Sequence, residues 1–88
     1  VVEVGDLRVG VLICYDVEFP ESVRLLALAG ADLVAVPTAL MPPYEFVPAS
    51  MIPTRAFENQ IFVAYANRCG AENGLHYIGS SCVAAPDG

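Results

Sequence analysis

Positively charged residues are scarce in this chain. Its 88 residues contain four Lys and Arg together against ten Asp and Glu, and the formal net charge is −6. Nucleic acids and anionic membrane surfaces are bound through clustered positive charge, and no such cluster occurs here. We therefore expect neither nucleic acid nor a membrane among the partners of this protein.

Long apolar runs are also missing, since none reaches the ~18 residues that a membrane-spanning helix needs. Yet 56% of the residues are hydrophobic and only 16% are charged. A small independent domain has proportionally more surface to cover with polar groups. The apolar excess therefore predicts strands covered on both faces, as inside a larger α/β body or at a subunit interface.

Cysteines with metal or redox spacing are absent. Cys14, Cys69 and Cys82 are odd in number, and no C-x-x-C pair occurs. Zinc and thioredoxin-type chemistry are therefore not supported, and we expect no cofactor and no metal. Free thiols in an apolar chain favour a reducing compartment, so we expect a cytoplasmic protein.

The two ends of the chain lack the usual signals of a complete domain. No Met begins the sequence, residues 1–4 have the pattern of a strand already under way, and Asp87-Gly88 is a turn signal without a returning strand. We expect residues 1–88 to be a partial domain whose N-terminal and C-terminal parts are absent. A complete small domain is the alternative.

The order of the predicted elements indicates an α/β fold. A strand at 8–14, a helix from Pro20 to about residue 29 and a strand at 32–36 form a βαβ crossover, which implies parallel pairing. Gly30 suits the end of the helix and Pro20 its first turn. Downstream we predict a loop at 38–48, a helix at about 51–60, a strand at 61–66, a polar turn at 67–74 and a strand at 77–85.

Cys14 ends the first strand of the predicted crossover. Ligands of open α/β sheets gather at the carboxyl ends of strands. The tight loop and the helix N-terminus that follow Cys14 supply backbone N–H groups and a favourable dipole, both of which favour a thiolate. Position alone leaves two interpretations open, a catalytic nucleophile and an inert packing cysteine.

The residues around Cys14 carry a family resemblance. GVLICYDVEFPES at 10–22 closely resembles the nucleophile segment of the nitrilase superfamily of carbon-nitrogen hydrolases, in which the Cys is followed by an acidic residue and a Phe/Trp-Pro-Glu helix start. Matching segments follow in the expected order, namely AGADLVAVPTAL at 29–40, RAFEN at 55–59, YAN at 65–67 and YIGSSCVAAPDG at 77–88. The resemblance implies that residues 1–88 are a partial carbon-nitrogen hydrolase domain.

This resemblance implies a fold and a mechanism. The fold would be part of a four-layer α-β-β-α sandwich, assembled as a homo-oligomer. Catalysis would use a Glu–Lys–Cys triad on a small-molecule amide, with Cys14 as nucleophile, the Glu as general base and the Lys and the Tyr15 backbone N–H stabilising the oxyanion. The family's Glu and Lys lie upstream of the nucleophile. The thirteen residues before Cys14 contain no Lys, and Glu3 lies in a hairpin strand, so we predict that the 88 residues alone are inactive.

The residues after Cys14 suggest a substrate. Many members of the family carry a basic residue in this loop, and in carbamoylases it holds the substrate carboxylate. Glu18 would instead attract an ammonium group, and a solvent-facing Glu is the alternative. CYDVEFPE, PTA and AYANRCGAE look most like the 5-aminopentanamidase, or omega-amino amidase, branch. We therefore predict hydrolysis of a small aliphatic amide, such as an omega-amino amide, to a carboxylic acid and ammonia through a cysteine thioester.

Four further residues are candidates for the pocket. Thr38, Ala39 and Tyr44 follow the second strand of the crossover at its carboxyl end, and we expect them to bind substrate. Glu45 is a weaker candidate for a cationic substrate group. His76 lies in a Gly-flanked turn, which favours a surface histidine over the partner of a catalytic thiol.

Other residues are predicted to support the site. Asp16 is expected to accept hydrogen bonds from backbone N–H groups of the nucleophile loop, and Glu21 to stabilise the helix start, pairing with an Arg. Arg55 and Glu58 have the spacing of an ordinary helical ion pair. Cys69 and Cys82 are interpreted as packing residues.

Other functions remain open at this point. Within the superfamily they are a nitrilase and an N-carbamoyl amidohydrolase. A non-catalytic nitrilase-like assembly or binding domain is the alternative from another class, although such a domain does not need a thiol in this loop. A generic α/β subdomain is a third, in which Cys14 should be alkylated no faster than Cys82.

Overall fold

The computed structural model describes all residues from 1 to 88. Seven strands form, β1 (Val2–Val4), β2 (Leu7–Val11), β3 (Leu33–Thr38), β4 (Phe62–Asn67), β5 (Cys69–Glu72), β6 (Leu75–Ile78) and β7 (Cys82–Ala84). Two α-helices accompany them, α1 (Pro20–Leu28) and α2 (Ile52–Asn59). A 3-10 turn at Cys14–Glu18 precedes α1, and a π-helical turn at Val47–Met51 leads into α2.

Five of the strands form one sheet in the order β1-β2-β3-β4-β7, and β5 and β6 form a separate hairpin. The central strands β2, β3 and β4 are parallel, while β1 and β7 pair antiparallel at the edges. The predicted α/β fold and βαβ crossover are therefore confirmed. The crossovers β2–α1–β3 and β3–α2–β4 both advance in the same direction across the sheet. Right-handed connections therefore place α1 and α2 on the same face of the sheet, where the two helices contact each other.

The core lies between this helix layer and one face of the sheet. Val34 pairs with Val63 and Val36 with Tyr65, and all four side chains are buried. The helices contribute buried side chains to the same cluster, Val23 from α1 and Ile52 and Ala56 from α2. Each of these larger apolar side chains contributes about 1.5–3 kcal/mol by its burial.

The opposite face of the sheet is apolar too, but nothing in these 88 residues covers it. Val11, Phe62 and Val83 lie on this face and are 54%, 43% and 67% exposed. Val2 and Val4 extend the apolar surface along β1. The apolar composition predicted strands covered on both faces, and only one face is covered within this chain.

The strand predicted at 77–85 is wrong, because two strands in different sheets occupy it. Gly79 and Ser80 adopt left-handed φ values of 70° and 56°, which ends the extended run between β6 and β7. The polar turn predicted at 67–74 is wrong as well, since β5 pairs with β6 there. Asn73 and Gly74, with φ values of 49° and 79°, form the two-residue turn that Asn-Gly favours in hairpins.

The parallel strands differ from the prediction mainly at their ends. β2 ends at Val11 instead of at residue 14, although the Leu12 N–H still donates to the Ala35 carbonyl over 3.0 Å. β3 continues through Pro37, where a stop was expected. The backbone of Pro37, like that of Ala35, faces the β2 side of β3. Because β2 ends before the level of Pro37, the missing N–H of Pro37 costs no hydrogen bond between the strands.

The helices also differ slightly from the prediction. α1 ends one residue early, and Gly30 follows with φ 96°, as a helix-terminating glycine does. Helical structure begins at Val47 with the π-helical turn, inside the predicted loop, and Gln60 ends α2 in the left-handed region. Neither α1 nor α2 has the length and apolar content required to cross a membrane.

Candidate active site

Cys14 begins the turn between β2 and α1 in an unusual backbone conformation. Its φ of 53° lies in the left-handed region, which residues other than Gly rarely adopt and which costs about 1–3 kcal/mol. The fully buried Val17 anchors the middle of the turn in the core. The half-buried Cys14 side chain lines the pocket above the turn.

Local hydrogen bonds hold the first residues of this turn. The Asp16 N–H donates to the Ile13 carbonyl over 3.1 Å, and the Asp16 carboxylate accepts the Ile13 N–H over 3.4 Å. This places Asp16 where the sequence predicted a brace for the nucleophile loop. The loop hydrogen bonds run from Asp16 to Ile13 and from Phe19 to Asp16, and the Tyr15 N–H is not among their donors.

Arg55 holds the C-terminal end of the turn. Only 7% of Arg55 is exposed, and its guanidinium makes three hydrogen bonds. Nε donates to the Val17 carbonyl over 3.2 Å, and Nη2 donates to the Glu18 carbonyl over 3.0 Å. Nη1 pairs with the Glu58 carboxylate at 3.1 Å, which is the ion pair expected from their spacing on α2.

A pocket of about 450 Å³ opens at the carboxyl ends of β2 and β3. Six residues line it, Cys14, Tyr15, Glu18, Leu40, Tyr44 and Phe46. Glu18 is the only charged residue among them, and burial raises the pKa of its carboxyl. The aromatic rings of Tyr15 and Phe19 pack edge to face at 4.9 Å, which fixes the Tyr15 side of the opening.

The part of the pocket wall that contains Leu40 is held by a buried asparagine at the end of β4. Asn67 accepts the Leu40 N–H at Oδ1 over 2.8 Å and donates from Nδ2 to the Gly79 carbonyl over 2.8 Å. The Ile78 N–H donates to the Leu40 carbonyl over 2.9 Å. Both backbone polar groups of Leu40 are therefore paired, and its side chain is held at the pocket.

The arrangement places one thiol and one carboxylate in an otherwise apolar and aromatic pocket, on a strained turn at the edge of a parallel sheet. A model of the carbon-nitrogen hydrolase family matches residues 1–88. The chain belongs to the carbon-nitrogen hydrolase family.

Two bacterial enzymes resemble the chain along nearly its whole length. It is 60% identical over 87 residues to the "Hydrolase in pqqF 5'region" of Pseudomonas protegens, covering 99% of this chain and 30% of that protein. It is 47% identical over 83 residues to the "(R)-stereoselective amidase" of a Pseudomonas species, covering 93% of this chain and 30% of that protein.

A solved structure of a nitrilase-superfamily amidase has the same fold. A cysteine-to-alanine mutant of the amidase from Nesterenkonia sp. AN1, in complex with butyramide, superposes with a TM-score of 0.94 at 49% identity, covering 98% of this chain and 33% of that one. Another structure of this amidase shows the acetamide moiety of fluoroacetamide added covalently to its active-site cysteine. The chain therefore spans about a third of the length of these carbon-nitrogen hydrolases.

Some residues predicted for the pocket of this carbon-nitrogen hydrolase lie outside its lining. Thr38 is half-buried and its hydroxyl donates to the Val36 carbonyl over 3.3 Å, while Ala39 and Glu45 are exposed beside the pocket. Burial raises the pKa of Tyr65 to about 12, and the neighbouring Thr38 hydroxyl acts in the opposite direction. The buried Tyr65 hydroxyl nevertheless has no hydrogen-bond partner.

Two pocket residues and one support were missed by the sequence analysis. Leu40 and Phe46 line the pocket, but neither has a polar side chain that would identify it in the sequence as a site residue. Asn67 was noted only in the YAN motif and as the first residue of the polar turn predicted at 67–74. A polar residue at the end of a buried strand was the signal that would have identified Asn67, because a buried amide requires partners for all its polar atoms.

The remaining candidates lie away from Cys14. Glu21 makes no ion pair, contrary to expectation, because the nearby Arg24 donates to the Glu58 carbonyl instead over 3.0 Å. His76 is exposed on the β5–β6 hairpin.

The other two cysteines differ from each other. Cys82 packs beside the core, where burial raises the pKa of its thiol and its Sγ lies 4.0 Å from the Pro48 carbonyl oxygen. Cys69 is exposed, so its interpretation as a packing residue is wrong. No group of three His, Cys, Asp or Glu residues is placed to hold a metal ion.

Proposed function

We propose that Cys14 is the nucleophile of an amidase that hydrolyses a small aliphatic amide to a carboxylic acid and ammonia. The observation that carries the proposal is the position of Cys14, strained at φ 53° on the floor of a pocket walled by Leu40, Tyr44 and Phe46. The covalently modified cysteine of the similar Nesterenkonia amidase supports it. The butyramide bound by that amidase supports a small amide.

The reaction proceeds in two stages through a thioester. The Cys14 thiolate attacks the amide carbon, and the Tyr15 N–H donates to the oxygen that becomes negatively charged. The general base takes the proton of the thiol and passes it to the nitrogen, so that the C–N bond breaks and ammonia leaves, while the acyl group stays on Sγ. Water attacks the thioester, which releases the carboxylic acid and restores the thiol. The general base and the lysine of the triad come from another part of the full-length protein.

Glu18 supports an amide with a cationic tail as the substrate. Its carboxylate is the only charge in the pocket lining, and partial burial raises the pKa of that carboxyl. An ammonium group there would gain a Coulomb attraction that is stronger than in bulk solvent, whereas a carboxylate would be repelled. An omega-amino amide fits this polarity, with its carbonyl at Cys14 and its ammonium at Glu18.

The outer side of the helix layer supports assembly as a homo-oligomer. Leu25, Leu28 and Phe57 are 68%, 76% and 60% exposed there. Large apolar side chains that remain exposed to solvent are common at interaction surfaces. Light scattering of the full-length protein measures the assembly directly, and a monomer at all concentrations would contradict it.

The proposed reaction is tested with the full-length protein that contains this chain. Cys14→Ala should abolish amide hydrolysis, while Cys69→Ala, which removes an exposed thiol, should retain it within about twofold. Wild type, but not Cys14→Ala, should show the added mass of the acyl group by mass spectrometry after rapid quenching with a small amide. Full activity of Cys14→Ala would remove the thiol from the mechanism, and faster hydrolysis of the matching nitrile would indicate a nitrilase.

The substrate preference is tested separately. We expect wild type to hydrolyse 5-aminopentanamide with a kcat/KM above that of pentanamide, and Glu18→Gln to lose most of the difference. Glu45→Gln is the control, because Glu45 is an exposed carboxylate outside the pocket lining. An unchanged preference in Glu18→Gln would exclude Glu18 from substrate binding.

A further inference from the structure

Arg55 connects two parts of the chain that are far apart in sequence. It lies on α2, and two of its three hydrogen bonds cross to the turn that begins with Cys14. The acceptors are the carbonyls of Val17 and Glu18, the last two residues of that turn. An ordinary ion pair within α2 would need only the Glu58 contact and would leave this side chain on the surface.

The direction of the contacts matters for the nucleophile. In a helical turn the carbonyl groups point toward the C-terminal end and the N–H groups toward the N-terminal end. Arg55 places a buried positive charge and two donors at the carbonyl end of the turn. Cys14 and Tyr15 lie at the opposite end of the turn, and both line the pocket.

We propose that Arg55 is a positioning residue for acylation, which holds the Cys14–Glu18 turn so that Sγ and the Tyr15 N–H together face the substrate carbonyl. The inference rests on the proposed function. The left-handed Cys14 is strained, so the turn needs restraint from outside itself. The buried Val17 side chain and the two Arg55 hydrogen bonds supply this restraint.

The geometry of the guanidinium makes the role specific to arginine. Nε and Nη2 lie on one edge of the planar group and reach adjacent carbonyls, while Nη1 reaches Glu58. A lysine ammonium is a single point of charge at the end of a flexible stem and does not reproduce this fixed fork. Arg55→Lys should therefore keep the positive charge but lose the pair of hydrogen bonds that fixes the position of the turn.

Four variants of the full-length protein test this inference. Arg55→Lys should lower kcat for amide hydrolysis by about 10- to 100-fold, the effect of a misplacement near 1 Å, with KM changed less than about threefold. Arg24→Lys is the matched control, because Arg24 is exposed and makes one hydrogen bond to a backbone carbonyl. Glu58→Gln removes the ion-pair partner and leaves the two carbonyl contacts, so its kcat should stay within about threefold. Arg55→Met shows whether the fold itself depends on the guanidinium.

A second readout separates positioning from general destabilisation. Alkylation of Cys14 by iodoacetamide needs an exposed thiolate but no oxyanion donor, whereas acylation by the amide needs both. Arg55→Lys should therefore slow acylation in a single turnover much more than it slows alkylation. An equal loss in both rates, or a kcat equal to that of wild type, would overturn the inference. Inactive wild-type protein would instead refute the proposed function, which leaves the two failures distinguishable.

Discussion

Replacing Asn67 should weaken both the fold and the pocket wall. Asn67→Ala removes the acceptor of the Leu40 N–H and the donor to the Gly79 carbonyl, each a 2.8 Å hydrogen bond. A buried polar group that loses its partner costs about 1–3 kcal/mol. Leu40 is half-buried and water reaches it in part, so the two losses together predict a decrease of about 2–4 kcal/mol in the free energy of unfolding.

The effect on catalysis should appear mainly in substrate binding. Leu40 lines the pocket, whereas Asn67 does not contact it, so a loosened wall raises KM more than it lowers kcat. The assays are urea unfolding of the full-length protein and steady-state kinetics with a small amide. Thr54→Ala is the control, since its hydroxyl donates to the Ser50 carbonyl at an exposed position and its loss should cost under about 0.5 kcal/mol.

One result would refute this reasoning. If Asn67→Ala unfolds within about 0.5 kcal/mol of wild type and keeps its KM, the amide does not hold the wall. Asn67→Asp sharpens the test, because it keeps the acceptor for Leu40 and places a second carboxylate oxygen against the Gly79 carbonyl. It should therefore be no more stable than Asn67→Ala, since a buried charge facing an acceptor is unfavourable.

Two further predictions concern a carboxylate and a glycine. Burial raises the pKa of Glu18. The preference for 5-aminopentanamide over pentanamide should therefore disappear as the pH falls through that raised pKa, which happens at a higher pH than for an ordinary Glu. A pH-independent ratio of the two kcat/KM values would contradict this. Gly30→Ala should destabilise the full-length protein by about 1–2 kcal/mol through its left-handed backbone alone. Its added Cβ would meet only the far end of the exposed Arg8 side chain, which can move away, so Gly70→Ala, with a φ of 87° and no neighbours, should cost about the same in the same thermal unfolding experiment.

The parallel sheet and the place of Cys14 after its first parallel strand were predictable from the sequence because their signals are local. Residues 8–36 contain a buried strand, a Pro at the start of a helix and a Gly after the end of that helix. The structure has these elements in the same order. The β5–β6 hairpin was missed although Asn73-Gly74 is a strong turn signal. The polar residues at 67–74 were taken to indicate a turn, and the pairing of this segment with the residues that follow it was not considered.

The supports of the site were harder to predict, since they depend on contacts between distant segments. The helical spacing of Arg55 identifies Glu58 as a partner, but the Val17 and Glu18 carbonyls lie 38 and 37 residues away in sequence. The path of the chain from Thr38 to Phe46 likewise decides whether Thr38 or Leu40 reaches the pocket. No local pattern specifies that path, because the hydrogen bonds that hold it come from Asn67 and Ile78.

The uncovered face of the five-stranded sheet has a consequence for how the protein is made. Val11, Phe62 and Val83 present apolar side chains to solvent for as long as this segment stands alone. A partly synthesised chain with such a face is prone to aggregate. Until other protein covers this face, a chaperone is needed to keep such sheets from associating with one another.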